Sequence, residues 1–364
     1  MDKKSKIVAT IGPASESEEV IRKLLANGAN VFRFNLKHNT IEWHREVSSR
    51  AKRLAKEMGL SVAIMMDIPS LEMAREVKDA DFLAISYLRA KSDLLEVKGY
   101  LEEAGIAPKI IAKIENGEAI KNLEDLLEEC DGVMVARGDL GREVPIEQLA
   151  FWQKKIIELC RRKNKPVIVA TEMLQSMTKS NSPTRAEATD VANAIFDGTD
   201  ALMLSEETAI GEYPAEAVAQ MRRIATFCDN EGEVKKLEKH SSELSEILIG
   251  AAVKIVEECE EPGIMGVIVF TQSGGTVRKL SSYRLKVPIV AITDNEEILE
   301  MLSLSYGVIP FYRTFEGEKF EIESPLFEKL IDHKFFKKGD RVLIIHGNNW
   351  ITKGSTSDIS LKTL

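Results

Sequence analysis

Short β-rich apolar runs alternate with amphipathic segments from Lys6 to about Arg223. In order, the runs are KIVATIG, NVFRFN, SVAIMMD, FLAISYL, KIIAKIE, GVMVA, PVIVAT and ALMLS. Between most of them, apolar residues recur at three- and four-residue spacing, as in EEVIRKLLANG, which ends in a helix-terminating glycine. Eight strands that alternate with helices predict a closed parallel (β/α)8 barrel, and a doubly wound sheet is the structural alternative.

The alternation breaks once and then resumes. The polar, charge-rich stretch CDNEGEVKKLEKHSSELS follows the last helical pattern of the first region. Beyond it come a helical pattern, LIGAAVKIVEECEE, and the strand patterns GVIVF, VPIVAIT, GVIPFY and RVLIIHG. We therefore predict a barrel catalytic domain over residues 1–228, a linker over 229–240 and a smaller α/β regulatory or oligomerisation domain over 241–364.

Composition narrows the class of protein. The chain has 364 residues, 44% apolar and 29% charged, with a net charge of −9. An acidic balance argues against general binding to nucleic acid or membrane surfaces, and no apolar run reaches membrane-spanning length. The apolar run near the N-terminus is too short for a signal peptide. Cys130, Cys160, Cys228 and Cys259 lack metal-ligand spacing, so we expect thiols in a reducing, cytoplasmic compartment.

Charged and polar side chains stand at the carboxyl ends of the predicted strands, where barrels of this kind build their sites. Arginine suits an anionic substrate, carboxylates suit a hard divalent cation, and a lysine among them can stabilise developing negative charge. A charged barrel mouth without a ligand is the alternative explanation. The side chains are Arg33, Asn35, Asp67, Arg89, Lys113, Glu115, Arg137, Asp139, Thr171, Ser205 and Glu207.

Two segments give more specific support for a site that binds an anion and a divalent cation. IIAKIENGEAI places Lys113 and Glu115 on one face of a strand just before a helix, although an ion pair at the rim would give the same pattern. VMVARGDLG follows an apolar strand with a turn in which Gly138 lets the backbone approach a ligand closely, and Asp139 comes next. The helix that follows presents N-terminal N–H groups suited to an anion.

Several longer motifs resemble the pyruvate kinase family, in the right order over nearly the whole chain. They are KIVATIGPAS, KIIAKIENGEAIKNLEDLLEECDGVMVARGDLG, KPVIVATEML, SPTRAEATDVANAIFDGTDALMLSEETAIGEYPAEAV and VFTQSGGTVRKLSSYRLKVPIVAIT. The resemblance implies phosphoryl transfer from phosphoenolpyruvate to ADP or another nucleoside diphosphate in glycolysis. It also implies Mg²⁺ or Mn²⁺ as cofactor and a homotetramer.

The resemblance implies roles for individual residues. Arg33 corresponds to a phosphate-binding arginine, and Lys113 to the lysine that neutralises the transferred phosphoryl group and the enolate oxygen. Glu115 and Asp139 correspond to the ligands of the divalent ion. The backbone of Arg137, Gly138 and Asp139 would hold the substrate carboxylate, and Thr171 would lie near the face where the enolate is protonated. Phosphoryl transfer needs positioning and charge neutralisation more than covalent help.

The monovalent-cation position departs from the family pattern. The family usually reads Asn-Phe-Ser-His-Gly, whereas this chain has Asn35-Leu36-Lys37-His38-Asn39. Asn35, Asp67 and Ile68 otherwise fall where the family holds potassium, and Ile68 replaces a threonine. We hypothesise that the ammonium of Lys37 replaces K⁺ with a tethered charge; alternatively, Lys37 turns outward and the cation site is lost.

A second departure follows Asp67. The family inserts a mobile lid domain here, but this chain has only a short segment before Phe82. The family's arginine falls on Ala74, and Arg75 is one place off. Because a lid excludes water and clamps the nucleotide, we expect weaker nucleotide binding and weaker protection of the phosphoryl group.

Two further features concern ligands with phosphate groups. Glu206 stands where the family has glycine, so it adds negative charge near the expected nucleotide unless it is an inert surface side chain. In FTQSGGTVRKL, the residues Thr271, Ser273, Gly274 and Thr276 resemble the family's effector-phosphate loop. Arg278 and Lys279 either add charge to this loop or belong to an ordinary helix surface.

Three functions remain open from the sequence. A lidless pyruvate kinase is favoured because the lysine and both metal carboxylates are retained. A metal-dependent lyase or oxaloacetate decarboxylase acting through a pyruvate enolate would need the same metal clamp but no nucleotide. A catalytically impaired protein that binds phosphorylated metabolites is the third possibility.

Overall fold

The first unit of the chain is a closed parallel barrel, which confirms the predicted fold. The computed structural model describes residues 3–239, 241–260, 262–314, 324–347 and 356–364. All eight predicted runs form strands that pair in chain order, and the eighth closes the barrel against the first. The strands are β1 Lys6–Thr10, β2 Val31–Asn35, β3 Ala63–Ile68, β4 Phe82–Ile85, β5 Lys109–Ile114, β6 Gly132–Ala136, β7 Val167–Ala170 and β8 Ala201–Leu204.

Helices surround the barrel and begin and end at the sequence signals expected of them. Thr184 caps the helix Arg185–Asp197 in a reciprocal capping box with Glu187, and Gly105 and Gly198 end the helices Lys91–Ala104 and Arg185–Asp197 in left-handed conformations with φ of 68° and 91°. The helices are α1 Glu18–Ala26, α2 Ile41–Glu57, α3 Lys91–Ala104, α4 Gly117–Lys121, α5 Leu123–Glu129, α6 Arg137–Glu143, α7 Leu149–Arg162, α8 Arg185–Asp197, α9 Glu206–Ala209 and α10 Pro214–Glu231.

The connection from β3 to β4 is short. It consists of residues 69–81 and contains one 3₁₀ helix, Leu71–Glu76, in which Ala74 is fully buried. Arg75 turns to α3, where its guanidinium lies 4.1 Å from the centre of the Tyr100 ring and pairs with Glu103 at 2.9 Å. The connection holds no lid, and Arg75 lies on the helical layer instead of at the barrel mouth.

The second unit is a five-stranded mixed sheet with helices. The chain divides into compact units at Met1–Lys235 and Lys236–Leu364, and α10 ends within the predicted linker. The sheet orders its strands as Val308–Tyr312, Ile289–Thr293, Gly266–Phe270, Arg341–Gly347 and Thr356–Thr363, and among these described strands the last alone is antiparallel to its neighbour. The elements are α11 Leu244–Glu258, β9 Gly266–Phe270, α12 Gly275–Ser282, β10 Ile289–Thr293, α13 Glu296–Met301, β11 Val308–Tyr312, α14 Ser324–Asp332, β12 Arg341–Gly347 and β13 Thr356–Thr363.

Two sequence expectations concern the chain as a whole. Within the described ranges, no helix combines the length and the apolar character needed to cross a bilayer. All four cysteines are free thiols, of which Cys130, Cys160 and Cys228 are buried and Cys259 is partly buried. Burial raises the pKa of the Cys130 thiol to about 11, so this thiol is protonated and unreactive at neutral pH.

Candidate active site

A buried carboxylate stands at the centre of the barrel mouth. Asp67, at the end of β3, is 1% exposed. Arg33, projecting from β2, donates to its Oδ2 from Nε at 2.9 Å and from Nη2 at 2.6 Å. Burial alone would raise the pKa of Asp67, but the charges and hydrogen bonds of Arg33 and Lys113 outweigh burial and hold it below the ordinary value. Asp67 is therefore an anion that fixes the Arg33 guanidinium.

Lys113 joins this carboxylate to a second one. From β5 its Nζ lies 3.2 Å from Oδ1 of Asp67 and 2.8 Å from Oε1 of Glu115. The same ammonium donates to Oγ of Ser86 at 2.7 Å. All four side chains are buried. The order Arg33–Asp67–Lys113–Glu115 alternates charge from β2 through β3 to the end of β5, so this network sets two fixed cations against two fixed anions.

Glu115 and Asp139 line one cavity of about 590 Å³ at the ends of β4, β5 and β6. The second oxygen of Glu115 accepts the backbone N–H of Tyr87 at 2.8 Å. Asp139 lies in the first turn of α6 and has Arg142 at 3.8 Å as its ion-pair partner. Asn116, Glu118 and Arg89 are among the other residues that line the cavity.

The donor set of this cavity fits a hard divalent ion. Among the described residues, no group of three or more His, Cys, Asp and Glu side chains is arranged to hold a metal. Mg²⁺ keeps several waters and is held by one or two carboxylates together with substrate oxygens, so two protein carboxylates suffice. Glu115 and Asp139 line the same cavity and would supply this minimal set.

The segment after β6 is tied to the end of β7. Thr171 takes a positive φ of 72°, which is unusual for a β-branched residue. Its Oγ1 accepts the N–H of Gly138 at 2.7 Å and donates to the carbonyl of Ala170 at 2.6 Å. The buried Arg137 guanidinium turns away to Asp190 at 2.7 Å and to the Thr171 carbonyl at 2.8 Å. Thr171 thus accepts the same Gly138 N–H that the family resemblance assigns to a substrate carboxylate.

Lys37 points to a tyrosine. Its Nζ donates to the Tyr87 hydroxyl at 2.8 Å and lies 4.8 Å from the centre of that ring. The hydrogen bond to Tyr87 raises the pKa of Lys37, and the charges of Glu115 and Asp139 raise it further, against the opposing effect of partial burial. The ammonium therefore stands beside the Glu115–Asp139 cavity, and its hydrogen bond is to Tyr87 instead of Asp67.

The other residues predicted for the monovalent-cation position are placed as follows. Asn35 uses its side-chain oxygen to accept the N–H of Lys37 at 3.2 Å. Ile68 is fully buried, and its carbonyl accepts the N–H of Ser86 at 3.4 Å. Asn35 and Asp67 are register partners across β2 and β3, so these positions do lie together.

Two carboxylates near the end of β8 differ in environment. Glu206 is exposed and accepts the side-chain amide of Gln175 at 2.7 Å. Glu207 is fully buried and accepts the N–H groups of Leu174 at 3.1 Å and Ser205 at 2.7 Å. Burial raises the pKa of Glu207, and its hydrogen bonds offset part of that effect. Glu207 therefore braces the loops after β7 and β8, whereas Glu206 faces solvent.

In the second unit, the predicted effector loop joins β9 to α12. Thr271 accepts the N–H of Gly274 at 2.9 Å, and Thr276 shares a hydrogen bond of 2.6 Å with Thr356. Gly274 has a φ of 71°, so a glycine suits this turn, which follows Ser273. Lys279 pairs with Glu243 and Glu246 at 3.1 and 3.4 Å, which assigns it to the helix surface.

Sequence reasoning missed three residues of the mouth. Thr10, at the end of β1, accepts Nη1 of Arg33 at 3.1 Å. Ser86 binds Lys113, and Tyr87 holds both Lys37 and Glu115. Ser86 and Tyr87 directly follow the strand FLAI, and Thr10 ends KIVAT. The strand-end rule that selected Thr171 and Ser205 would also have selected these three residues if it had been applied to every hydroxyl group at the strand ends.

The fold and the mouth together define a (β/α)8-barrel protein whose charged site suits a phosphorylated or carboxylated ligand and a divalent ion. Two protein-family models match most of the chain. The model "Pyruvate kinase, barrel domain" matches residues 2–79 and 70–218, and "Pyruvate kinase, alpha/beta domain" matches residues 247–360. The chain belongs to the pyruvate kinase family.

Curated relatives agree with this assignment. Pyruvate kinase of Staphylococcus aureus strain MRSA252 is 34% identical over 85% of this chain and 71% of its own length. Pyruvate kinase of Bacillus licheniformis is 32% identical over 95% of this chain and 78% of its own. Pyruvate kinase 2 of Synechocystis is 30% identical, in an alignment of 474 positions that covers this whole chain and 80% of the relative.

The relatives are longer than this chain. The two pieces of the barrel match meet in residues 70–79, within the short connection between β3 and β4. This chain is therefore consistent with a form of the family that lacks the lid, as the sequence predicts.

Proposed function

We propose that this protein transfers a phosphoryl group from phosphoenolpyruvate to ADP or another nucleoside diphosphate, giving pyruvate and a nucleoside triphosphate, as a cytoplasmic enzyme of glycolysis. The observation that carries the proposal is the position of Lys113. Its ammonium lies between Asp67 and Glu115 at the carboxyl end of the barrel, within the same mouth as Arg33. A fixed cation there can neutralise charge on a transferred phosphoryl group and on the enolate oxygen.

The roles of the remaining site residues are assigned from the charges and hydrogen-bonding groups at the barrel mouth. Arg33, held by Asp67, would bind the phosphate of the substrate. The backbone of Arg137, Gly138 and Asp139 would hold the substrate carboxylate, which requires Thr171 to release the Gly138 N–H. The Thr171 hydroxyl would then lie near the enolate and assist its protonation.

Glu115 and Asp139 would hold Mg²⁺ or Mn²⁺. When bound, the ion would supply positive charge to the substrate carboxylate and enolate oxygens. Glu115→Gln or Asp139→Asn removes one anionic ligand, so the metal concentration needed for half-maximal rate should rise at least about tenfold. A metal titration at fixed substrate tests this, and an unchanged titration in both variants would contradict the assignment.

The central experiment measures ATP and pyruvate from phosphoenolpyruvate and ADP with Lys113→Met. We expect a loss of at least about 100- to 1,000-fold in kcat, since a preorganised charge on the reacting group is removed. Lys109→Met is the matched control, because Lys109 begins the same strand β5 at the opposite end of the barrel. Near-normal turnover in Lys113→Met, or an equal loss in Lys109→Met, would refute the role.

We extend the proposal to the monovalent cation. The fixed charge of Lys37 beside the site would replace K⁺, so potassium should change the rate less than about twofold at constant ionic strength. Lys37→Ser restores the hydroxyl of the family pattern, and it should become dependent on potassium. Strong stimulation of the unmodified protein by potassium would rule out the tethered-charge hypothesis.

A second candidate function is a lyase or decarboxylase acting through a pyruvate enolate. The short connection between β3 and β4 favours it, because nothing there clamps a nucleotide. Oxaloacetate decarboxylation with metal and without nucleotide tests it. Decarboxylation without any ATP formed from phosphoenolpyruvate and several nucleoside diphosphates would replace the kinase proposal with this one.

The second unit would bind a phosphorylated effector at the loop of Thr271, Ser273, Gly274 and Thr276, and the protein would assemble as a homotetramer. Hydroxyl and N–H groups in such a turn form an anion-binding concavity. Titration with sugar phosphates and nucleotides, with Thr276→Val as the variant, tests the loop. Sedimentation analysis tests the assembly, and a monomer at all concentrations would contradict it.

A further inference from the structure

The Lys37–Tyr87 pair connects a loop cation to the carboxylates of the cavity. Lys37 donates to the Tyr87 hydroxyl at 2.8 Å, and the N–H of Tyr87 donates to Oε2 of Glu115 at 2.8 Å. Tyr87, Glu115 and Asp139 line the same cavity. One tyrosine therefore positions both a positive side chain and a proposed metal ligand.

The loop that carries Lys37 is pinned in place. The Asn35 side chain accepts the N–H of Lys37 at 3.2 Å, and the buried His44 contacts the carbonyl of His38 through Nε2 at 2.7 Å. Asn39 takes a φ of 61°, which asparagine tolerates better than most residues. The turn therefore fixes the backbone from which the exposed Lys37 side chain reaches the Tyr87 hydroxyl.

Tyr87 is itself held in an unusual conformation. Its φ is 61°, although it is neither glycine nor asparagine, and the residue is 58% exposed. This backbone conformation lets Tyr87 contact both Glu115 and Lys37. Because its backbone is strained and its ring is half-exposed, Tyr87 contributes to the site and not to the hydrophobic core.

We infer that Lys37, held by Tyr87, is an additional cation beside the Glu115–Asp139 pair, whose direct ion-pair partners are Lys113 and Arg142. It weakens the binding of a bare divalent ion, because both cations draw on the same two carboxylates. It strengthens the binding of an ion that arrives together with a phosphate-bearing ligand, because the phosphate gives the ammonium an anionic partner. Lys37 thereby couples metal binding to substrate binding, and by linkage the coupling is reciprocal.

This inference rests on the assignment of Glu115 and Asp139 as metal ligands in the proposed function. The primary test is a titration of the full-length protein with Mn²⁺ alone, at low ionic strength, following free Mn²⁺ by electron paramagnetic resonance. Lys37→Met should bind Mn²⁺ about three- to ten-fold more tightly than the unmodified protein. Tyr87→Phe frees the ammonium without removing it, so it should change Mn²⁺ affinity in the same direction by a smaller factor.

Controls separate this effect from others. Lys179→Met removes an exposed lysine paired with Glu212 after β7, and it should leave Mn²⁺ affinity unchanged. The gain in Lys37→Met should shrink as salt rises to about 0.5 M, since screening weakens a charge effect. A gain that stays constant with salt would indicate a rearranged loop and would overturn the inference.

The second arm repeats the titration with saturating phosphoenolpyruvate and no nucleotide. Phosphoenolpyruvate should tighten Mn²⁺ binding by a larger factor in the unmodified protein than in Lys37→Met. Equal factors, or equal or weaker binding of Mn²⁺ alone in Lys37→Met, would overturn the inference while leaving the metal site intact. If Glu115→Gln binds Mn²⁺ as the unmodified protein does, the metal assignment fails and the inference fails with it.

Discussion

The substitution Asp67→Asn tests the electrostatic centre of the barrel mouth. It preserves the shape of the side chain and removes one negative charge from a residue that is 1% exposed. Arg33 loses the partner that it contacts at 2.6 and 2.9 Å, whereas Lys113 keeps Glu115 at 2.8 Å. Arg33 is therefore the cation left without a counter-charge.

The size of the effect follows from this asymmetry. Breaking a buried ion pair by removing one partner typically costs about 3–5 kcal/mol. The asparagine oxygen still accepts a hydrogen bond and Lys113 remains paired, so we expect the lower end, about 3 kcal/mol. For a unit of this size, that loss lowers the melting temperature of the barrel by roughly 6–12 °C.

The assay is thermal and urea denaturation, followed by circular dichroism, as a function of pH. The folded-state pKa of Asp67 is lowered, so its stabilisation is present above the unfolded value of 3.8 and is lost as pH falls through the lower folded value. The two proteins should therefore differ most near neutral pH and converge in acid. Glu19→Gln, in the exposed pair with Lys23, should leave the midpoint unchanged. A loss below about 1 kcal/mol at pH 7 would refute the reasoning.

Three further predictions concern other parts of the chain. Gly266→Ala should destabilise the second unit by about 1–3 kcal/mol in thermal denaturation, because a Cβ there would clash with the Phe336 ring, and Phe336→Leu should restore part of the loss. Glu206→Gly removes an exposed carboxylate, so the KM for ADP should fall several-fold while kcat changes little, as steady-state kinetics at low salt will show. Burial lowers the pKa of His44, so unfolding free energy should decrease as pH falls below 6.5, and His44→Phe should flatten that decrease.

Much of the fold could be predicted from sequence, because strands buried on both faces read as continuous apolar runs. The rule that sites form at the carboxyl ends of barrel strands also selected Arg33, Asp67, Lys113 and Glu115, which the structure brings into one network. Side chains along a strand point alternately to its two faces, so the face that each residue occupies is known once the strand is identified.

The loop residues could not be predicted in the same way. Lys37 reaches Tyr87, and Arg75 reaches Tyr100, because of backbone turns that no periodic pattern encodes. Asn39 and Tyr87 adopt positive φ angles, and these redirect the side chains around them. The Thr171 contact to Gly138 joins loops from two strands, so it depends on tertiary structure.

The left-handed backbone at Thr171 lowers the stability of the fold, whereas the hydroxyl of the same residue serves the proposed chemistry. A β-branched residue in this conformation costs about 1–3 kcal/mol relative to an unstrained one, and glycine would relieve most of that cost. Laboratory evolution that rewards heat resistance alone should therefore drift towards glycine at this position and discard the hydroxyl. Lineages that are also screened for turnover should keep the threonine and gain thermal stability through substitutions elsewhere in the chain.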